Sequence, residues 1–241
     1  MGKSSDLYLV EQILDLSISE ETMMTSIKNG LAPVSLTIIY GVFFYFSHSF
    51  LWRNGWLIRS NDVSSQNVGF KLLTDFIISL LFVVVILAFM FFTKRPFSDV
   101  GLTTNSRWLS LSLLFGYIAM FLFHGDFTVK GIYLAFFYLV VVAFSEEFIS
   151  RGFLFTKIDK DYNFETAIII SGLFFGAMHG ILPTIVANGS PADLFINISG
   201  KLLGQGIIGG GLFALAYKKS GTLFVPVLIH ALLDYSGIVF G

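Results

Sequence analysis

The sequence predicts an all-α integral membrane protein, a polytopic bundle of about seven or eight transmembrane helices whose C-terminal half carries the polar core. Three observations lead there. Of 241 residues 55% are hydrophobic and only 13% charged, with a mean hydropathy of +0.78 and 28 phenylalanines, a composition too apolar for a soluble globule of this size. Apolar stretches of about 20 residues, the length that crosses a bilayer, recur along the chain. The later stretches also contain ionisable residues, which at bilayer depth are costly unless they are paired or face a polar cavity.

The segment 1–30 is polar and partly amphipathic, lacking the charged start, apolar run and small-residue cleavage site of a signal peptide. The first span runs from Leu31 to Trp52. The second, about Leu73 to Phe92, ends in the basic pair Lys94 and Arg95. The third, Trp108 to about His124, opens with an interfacial tryptophan beside Arg107. Four more follow, at about Ile132 to Thr156, Phe164 to Leu182, Leu202 to Tyr217 and Thr222 to Phe240. Seven crossings place the termini on opposite sides. One face then holds Lys3, Lys28, Lys94, Arg95, Arg107, Lys157, Lys160, Lys218 and Lys219, and the other Arg53, Arg59, Lys71 and Lys130. By the positive-inside rule the N-terminus is expected in the cytoplasm. Within one integral domain, residues 1–96 read as a tail with two spans ahead of the later spans that carry the ionisable residues.

Composition also excludes chemistry. The net charge is -1 with no basic block, so no nucleic-acid partner is expected. The chain has no cysteine, which removes disulfides, thiolate metal sites and a cysteine nucleophile.

Three segments can do chemistry. "AFSEEFISRGF" (143–153) holds Glu146, Glu147 and Arg151. Glu147 and Arg151 are four apart and meet on a helix, leaving Glu146, about 100° round, to face something else. Such a carboxylate can be a general base, or the triplet can simply lock helices together. "GLFFGAMHGIL" (172–182) repeats glycine at 172, 176 and 180, a small-residue strip that lets a neighbouring helix approach. His179 lies beside that strip, and alone it reads as an interhelical hydrogen bond. "VPVLIHALLDYSG" (225–237) pairs His230 with Asp234 at the same spacing, after Pro226, which is expected to kink the helix. That pair suits a metal half-site, a hydrogen-bonded catalytic histidine, a proton relay or a helix lock. His48 and His124 near span ends, Asp75 near an entry and a snorkelling Lys201 are weaker candidates. Counted from the helix starts, Glu146 and His230 agree in depth, whereas His179 falls roughly two turns further out.

In order on successive helices, E-E-x-x-x-R (Glu146, Glu147, Arg151), F-x-x-x-H (Phe175, His179) and H-x-x-x-D (His230, Asp234) resemble the CPBP family, comprising type 2 CAAX prenyl endopeptidases and bacteriocin-processing Abi proteins. "FSDVGLT" (97–103) is similar to the stretch that precedes that family's core. The resemblance covers residues 97 to 241 and implies a membrane-embedded endopeptidase. It implies that Glu146 acts as general base on a water held jointly with His179. His230 and residue 234 would stabilise the oxyanion, and Glu147 and Arg151 would position Glu146. A divalent metal such as zinc on Glu146, His179 and His230 is the alternative form of the chemistry.

Relatives often have asparagine where this chain has Asp234, and an ionised aspartate cannot donate to an oxyanion. That departure shifts the donor role to His230 and leaves metal binding open.

The expected function is therefore peptide-bond hydrolysis of a peptide precursor or membrane-protein substrate near the cytoplasmic leaflet, with the lipid bilayer as the other partner and a bacterial plasma membrane as the location. A non-catalytic bacteriocin immunity or binding protein and a proton-coupled transporter are the rival readings. Oligomeric state is not legible in the sequence.

Overall fold

The structure is a computed structural model that describes residues 31–240, and among these every regular element is helical. The absence of a signal peptide and the lysines at positions 3 and 28 concern residues outside that range. Seven helices follow one another: α1 (Leu31–Arg53), α2 (Val68–Phe92), α3 (Arg107–His124), α4 (Val129–Asp161), α5 (Phe164–Val186), α6 (Pro191–Ser220) and α7 (Phe224–Phe240). The first six are long and apolar enough to cross a membrane; α7 has 17 residues, about 25 Å of helix. All seven expected helices are present. The apolar surface points outwards, with Phe92, Phe123, Phe115, Phe195 and Trp108 each more than 70% exposed. A soluble protein would not leave so much aromatic surface in water; the bilayer covers it here, and the protein is an integral membrane protein.

Several helix bounds depart from expectation for local reasons. α4 continues beyond Thr156 to Asp161. α6 starts at Pro191 instead of Leu202, because Ser190 and Asp193 form a reciprocal capping box with proline at the first helical position. Lys201 therefore lies exposed within α6 rather than at a span end. α7 begins at Phe224, so Pro226 falls in the first turn, where a missing N–H has no intrahelical partner to lose. The expected proline kink is not needed.

α4 is the central helix. It is wound with π-type i→i+5 bonding over Phe137–Phe144 and Phe148–Phe155, flanking the short α-helical piece Ser145–Glu147. Such local rewinding re-aims side chains and is frequent at functional sites.

The segment 97–103 has a mechanical task. Its Gly101 carbonyl accepts from Leu223 N at 2.8 Å, and the Thr222 hydroxyl donates to the Thr103 carbonyl at 3.1 Å. The Thr103 hydroxyl donates to Gly221 O at 2.7 Å and that of Ser106 to Ser220 O at 2.8 Å. Gly101 has φ 76°, and a Cβ there would strike the Tyr217 ring, so glycine is required twice over. This clamp fixes the start of α7 in the interior: Thr222 and Leu223 are both fully buried.

Candidate active site

α4 presents its two glutamates to different surroundings. Glu147 is fully buried, and its Oε1 accepts from Arg151 Nη1 at 3.1 Å, as the spacing predicts. The guanidinium, also fully buried, lies 4.1 Å from the Phe175 centroid and 5.3 Å from that of Phe213, two rings set edge to face. Gly210 of α6 makes room for it, since a Cβ there would lie 2.9 Å from Arg151 Nη2. A buried cation against two aromatic rings, with a carboxylate at its edge, is held in one place. Glu146 is only half-buried and turns to an internal cavity, and its Oε2 is sealed with no hydrogen-bond partner among the described residues.

His179 and Glu146 face each other, with Nε2 3.9 Å from Oε2. The other ring nitrogen, Nδ1, lies 2.7 Å from the Phe175 carbonyl. A carbonyl only accepts, so Nδ1 carries the proton and, in the neutral ring, Nε2 presents a lone pair towards Glu146. The expected mismatch in depth disappears. α4 ends at Asp161 and α5 starts at Phe164, and Glu146 and His179 lie equally far along their helices from that turn; the longer α4 equalises the two. Glu146 is thus at the middle of α4 rather than near the cytoplasmic leaflet.

His230 stands behind this pair. Its Nδ1 lies 2.9 Å from Glu147 Oε1 and its Nε2 3.3 Å from Asp234 Oδ2. Its ring stacks on Phe213 at 4.8 Å and 20°. The residue is buried and does not line the cavity. Both nitrogens therefore already face carboxylates, which departs from the expected oxyanion role for His230 and Asp234. Glu147 likewise holds His230 and Arg151 rather than touching Glu146. The arrangement is a buried chain, Arg151–Glu147–His230–Asp234, packed directly behind the Glu146–His179 pair.

The same engagement bears on a metal. A zinc site needs three convergent protein donors. Here His230 has no uncommitted nitrogen and His179 offers one, so Glu146, His179 and His230 do not assemble a three-ligand set. Among the described residues no cluster of three or more histidine, aspartate or glutamate side chains is placed to hold an ion.

The cavity has a volume of about 660 Å³, enough for several peptide residues. Glu146, His179, Phe174 and Phe175 line one part, and Tyr40, Phe44 and His48 of α1 with Lys71 and Asp75 of α2 line another. It extends to Leu57–Asn61 in the α1–α2 connection. Sequence reasoning missed this contribution from the first two spans. Asp75, set aside as a residue near an entry, is buried: it pairs with Lys71 one turn away and accepts from the Tyr133 hydroxyl at 2.6 Å. The signal was the i, i+4 spacing of Lys71 and Asp75, which is the spacing that identified Glu147 and Arg151. Lys71 accordingly belongs to α2 and not to a loop. His48 also faces the cavity, with Nδ1 bonded to the Phe44 carbonyl at 3.0 Å. His124 lies at the far end of α3, near Tyr235.

Comparison with protein families gives a match for the C-terminal part of the chain. Residues 128–236 are similar to the type II CAAX prenyl endopeptidase Rce1-like family, which spans α4 to most of α7. No curated protein and no solved structure matches the chain.

Proposed function

We propose, from the match of residues 128–236 to the type II CAAX prenyl endopeptidase Rce1-like family, that this protein is an intramembrane endopeptidase that hydrolyses peptide bonds with a water activated by Glu146. The observation that carries the reading is the Glu146–His179 pair, two acceptors 3.9 Å apart on the wall of a peptide-sized cavity. A cavity water held at this pair can donate one hydrogen to the carboxylate of Glu146, through the oxygen that is not sealed, and one to His179 Nε2. Glu146 takes a proton as the water oxygen attacks the carbonyl carbon, giving a tetrahedral oxyanion. The C–N bond then breaks, and the proton passes from Glu146 to the leaving amine. His179, with Nδ1 fixed by the Phe175 carbonyl, orients the water. Arg151, Glu147, His230 and Asp234 keep α4, α5, α6 and α7 in register behind the pair and fix the electrostatic field at Glu146.

The lysine and arginine distribution supports an N-terminus in the cytoplasm, and removing buried Lys71 from the outer count sharpens it. The cavity then reaches the outer face, through the α1–α2 connection. The substrate is an extended, largely apolar peptide segment of a precursor or membrane protein, matching a wall of Phe44, Phe137, Val141, Phe174, Met178 and Leu182. A bacterial plasma membrane suits such an enzyme.

The test compares small-peptide and membrane proteomes of cells carrying the wild-type chain or Glu146→Gln at equal abundance. The expected outcome is an uncleaved precursor with the variant only, and insensitivity of the purified enzyme to chelators. Matching profiles, with any deletion phenotype rescued by both chains, would overturn hydrolysis in favour of a binding protein. Flux that follows a proton gradient would favour a transporter.

A further inference from the structure

We infer that Tyr40 of α1 is a catalytic residue, its phenol donating the hydrogen bond that stabilises the oxyanion formed opposite Glu146. The inference rests on the hydrolytic reading above and starts from a chemical requirement. A tetrahedral oxyanion needs a donor placed about 2.7–3.1 Å from where the charge develops. Neither Glu146 nor the Nε2 lone pair of His179 can supply one. His230 faces Glu147 and Asp234 with its two nitrogens and does not line the cavity, and Asp234 in its ionised form only accepts. The donor must come from another wall.

Tyr40 meets the requirement. It lines the same cavity as Glu146 and His179, although its side chain is 4% exposed. Its hydroxyl makes no hydrogen bond among the described residues, yet it is not one of the sealed polar atoms, so it borders the open space of the cavity. The ring is held by Phe82 at 5.1 Å, Phe44 at 6.1 Å and Phe174 at 6.4 Å between centroids. Next to it, Gly41 brings α1 against α5: a Cβ there would sit 3.5 Å from Met178 Sδ and 3.7 Å from Phe174. Met178 directly precedes His179. A buried phenol with an unspent donor, on an aromatic mount, thus lines the cavity that Glu146 and His179 line from α4 and α5.

Ser150 is the rival donor, buried one helical turn from Glu146 and also lining the cavity. It shares a helix with the base, whereas Tyr40 approaches from across the cavity. Tyr40 also lies in α1, outside the family-matched segment, so this chain supplies from its own N-terminal helix the donor that Asp234 does not provide.

The experiment uses the full-length protein in lipid nanodiscs with a peptide substrate from the proteome comparison. Tyr40→Phe keeps the ring and removes only the hydroxyl. The expected result is a fall in kcat of about 10²–10³-fold with KM within about threefold and unchanged thermal unfolding, a loss larger than that of Ser150→Ala. A phosphinate peptide that mimics the tetrahedral state should lose affinity for Tyr40→Phe, while peptide binding measured in the Glu146→Gln background should not change with Tyr40→Phe. If wild type cleaves, Glu146→Gln does not, and Tyr40→Phe retains kcat within threefold, the inference is overturned and hydrolysis stands. A loss confined to Ser150→Ala overturns it in favour of Ser150. If wild type cleaves nothing, hydrolysis and the role of Tyr40 fall together.

Discussion

Gly176 is where a single methyl group should be felt at the catalytic pair. The strip Gly172, Gly176 and Gly180 packs α5 backbone to backbone on α6. A Cβ at 176 would lie 2.8 Å from the Lys201 carbonyl oxygen, 2.9 Å from Gly206 Cα and 3.0 Å from Leu202 Cα. Ordinary contact begins near 3.4 Å, so Gly176→Ala requires the helices to part by about half an ångström. Every obstructing atom is main chain, so no side chain can rotate away, and overpacking of this kind costs about 1–3 kcal/mol. His179 lies less than one turn further along α5, and a displacement approaching 1 Å at a catalytic group can cost about 10²-fold; a tenfold fall in cleavage is expected here. Gly204→Ala, in α6 with nothing within 4 Å of its Cβ, is the control, neutral or stabilised by up to about 1 kcal/mol through helix propensity. Thermal unfolding and cleavage rate measured together decide the matter. The packing argument is refuted if Gly176→Ala melts and cleaves like wild type, or if Gly204→Ala is damaged equally.

Other outcomes follow from the buried charges. Arg151→Met leaves buried Glu147 with His230 as its remaining partner and should cost about 3–5 kcal/mol; Arg151→Lys should rescue it poorly, because an ammonium cannot reproduce the planar contact of the guanidinium with Phe175 and Phe213, as denaturant unfolding will show. Asp234→Asn keeps an acceptor for His230 Nε2 at a position that is one-third exposed, so it should hold its fold and remain within about tenfold of wild-type cleavage, whereas Asp234→Leu should not. Lys71→Met should destabilise by about 1–3 kcal/mol by leaving Asp75 short of a partner, and adding Asp75→Asn should recover most of that loss in a double-mutant cycle. At the start of α4, the hydroxyl and amide of Thr128 both donate to Asp126 and hold its carboxyl below the usual carboxylate range. A depressed value stabilises the fold above the ordinary carboxylate range, and the contribution is lost as pH falls through the lowered one. It is small because Asp126 is only partly buried, and it should appear as faster amide exchange at the N-terminus of α4 in acid, absent in Asp126→Asn.

The fold was legible because a bilayer imposes length and apolarity on every span, and a window of about 20 residues detects both. Helix ends were less so. The capping box at Ser190 is a local signal that hydropathy outweighs, and the start of α7 depends on a clamp from residues 97–103, a contact between segments far apart in the chain. Within the site, pairs on one helix were readable: Glu147 with Arg151, and His230 with Asp234. The bond from His230 to Glu147 joins two helices and has no sequence spacing, so the engagement of both His230 nitrogens was hidden, and with it the need for another donor. Lys71 and Asp75 had the readable spacing, yet an average over a window places them at a span entry.

These two kinds of residue divide the labour of the site. Glu146, His179 and the chain from Arg151 to Asp234 fall within the family-matched segment, where their positions are set by backbone-close packing of α5 on α6 and by the clamp on α7. Tyr40, His48, Lys71 and Asp75 come from helices before that segment and line the part of the cavity that extends to the α1–α2 connection. On the proposed mechanism the base and its orienting histidine can be kept constant while the facing wall changes, because α1 and α2 meet α4 and α5 through Asp75 with Tyr133 and through Tyr40 and Gly41 with Phe174 and Met178, rather than through Glu146 or His179. Substrate choice should therefore follow substitutions in α1 and α2 at nearly constant base chemistry, and loss of the base chemistry should follow substitutions in α4, α5 and α7.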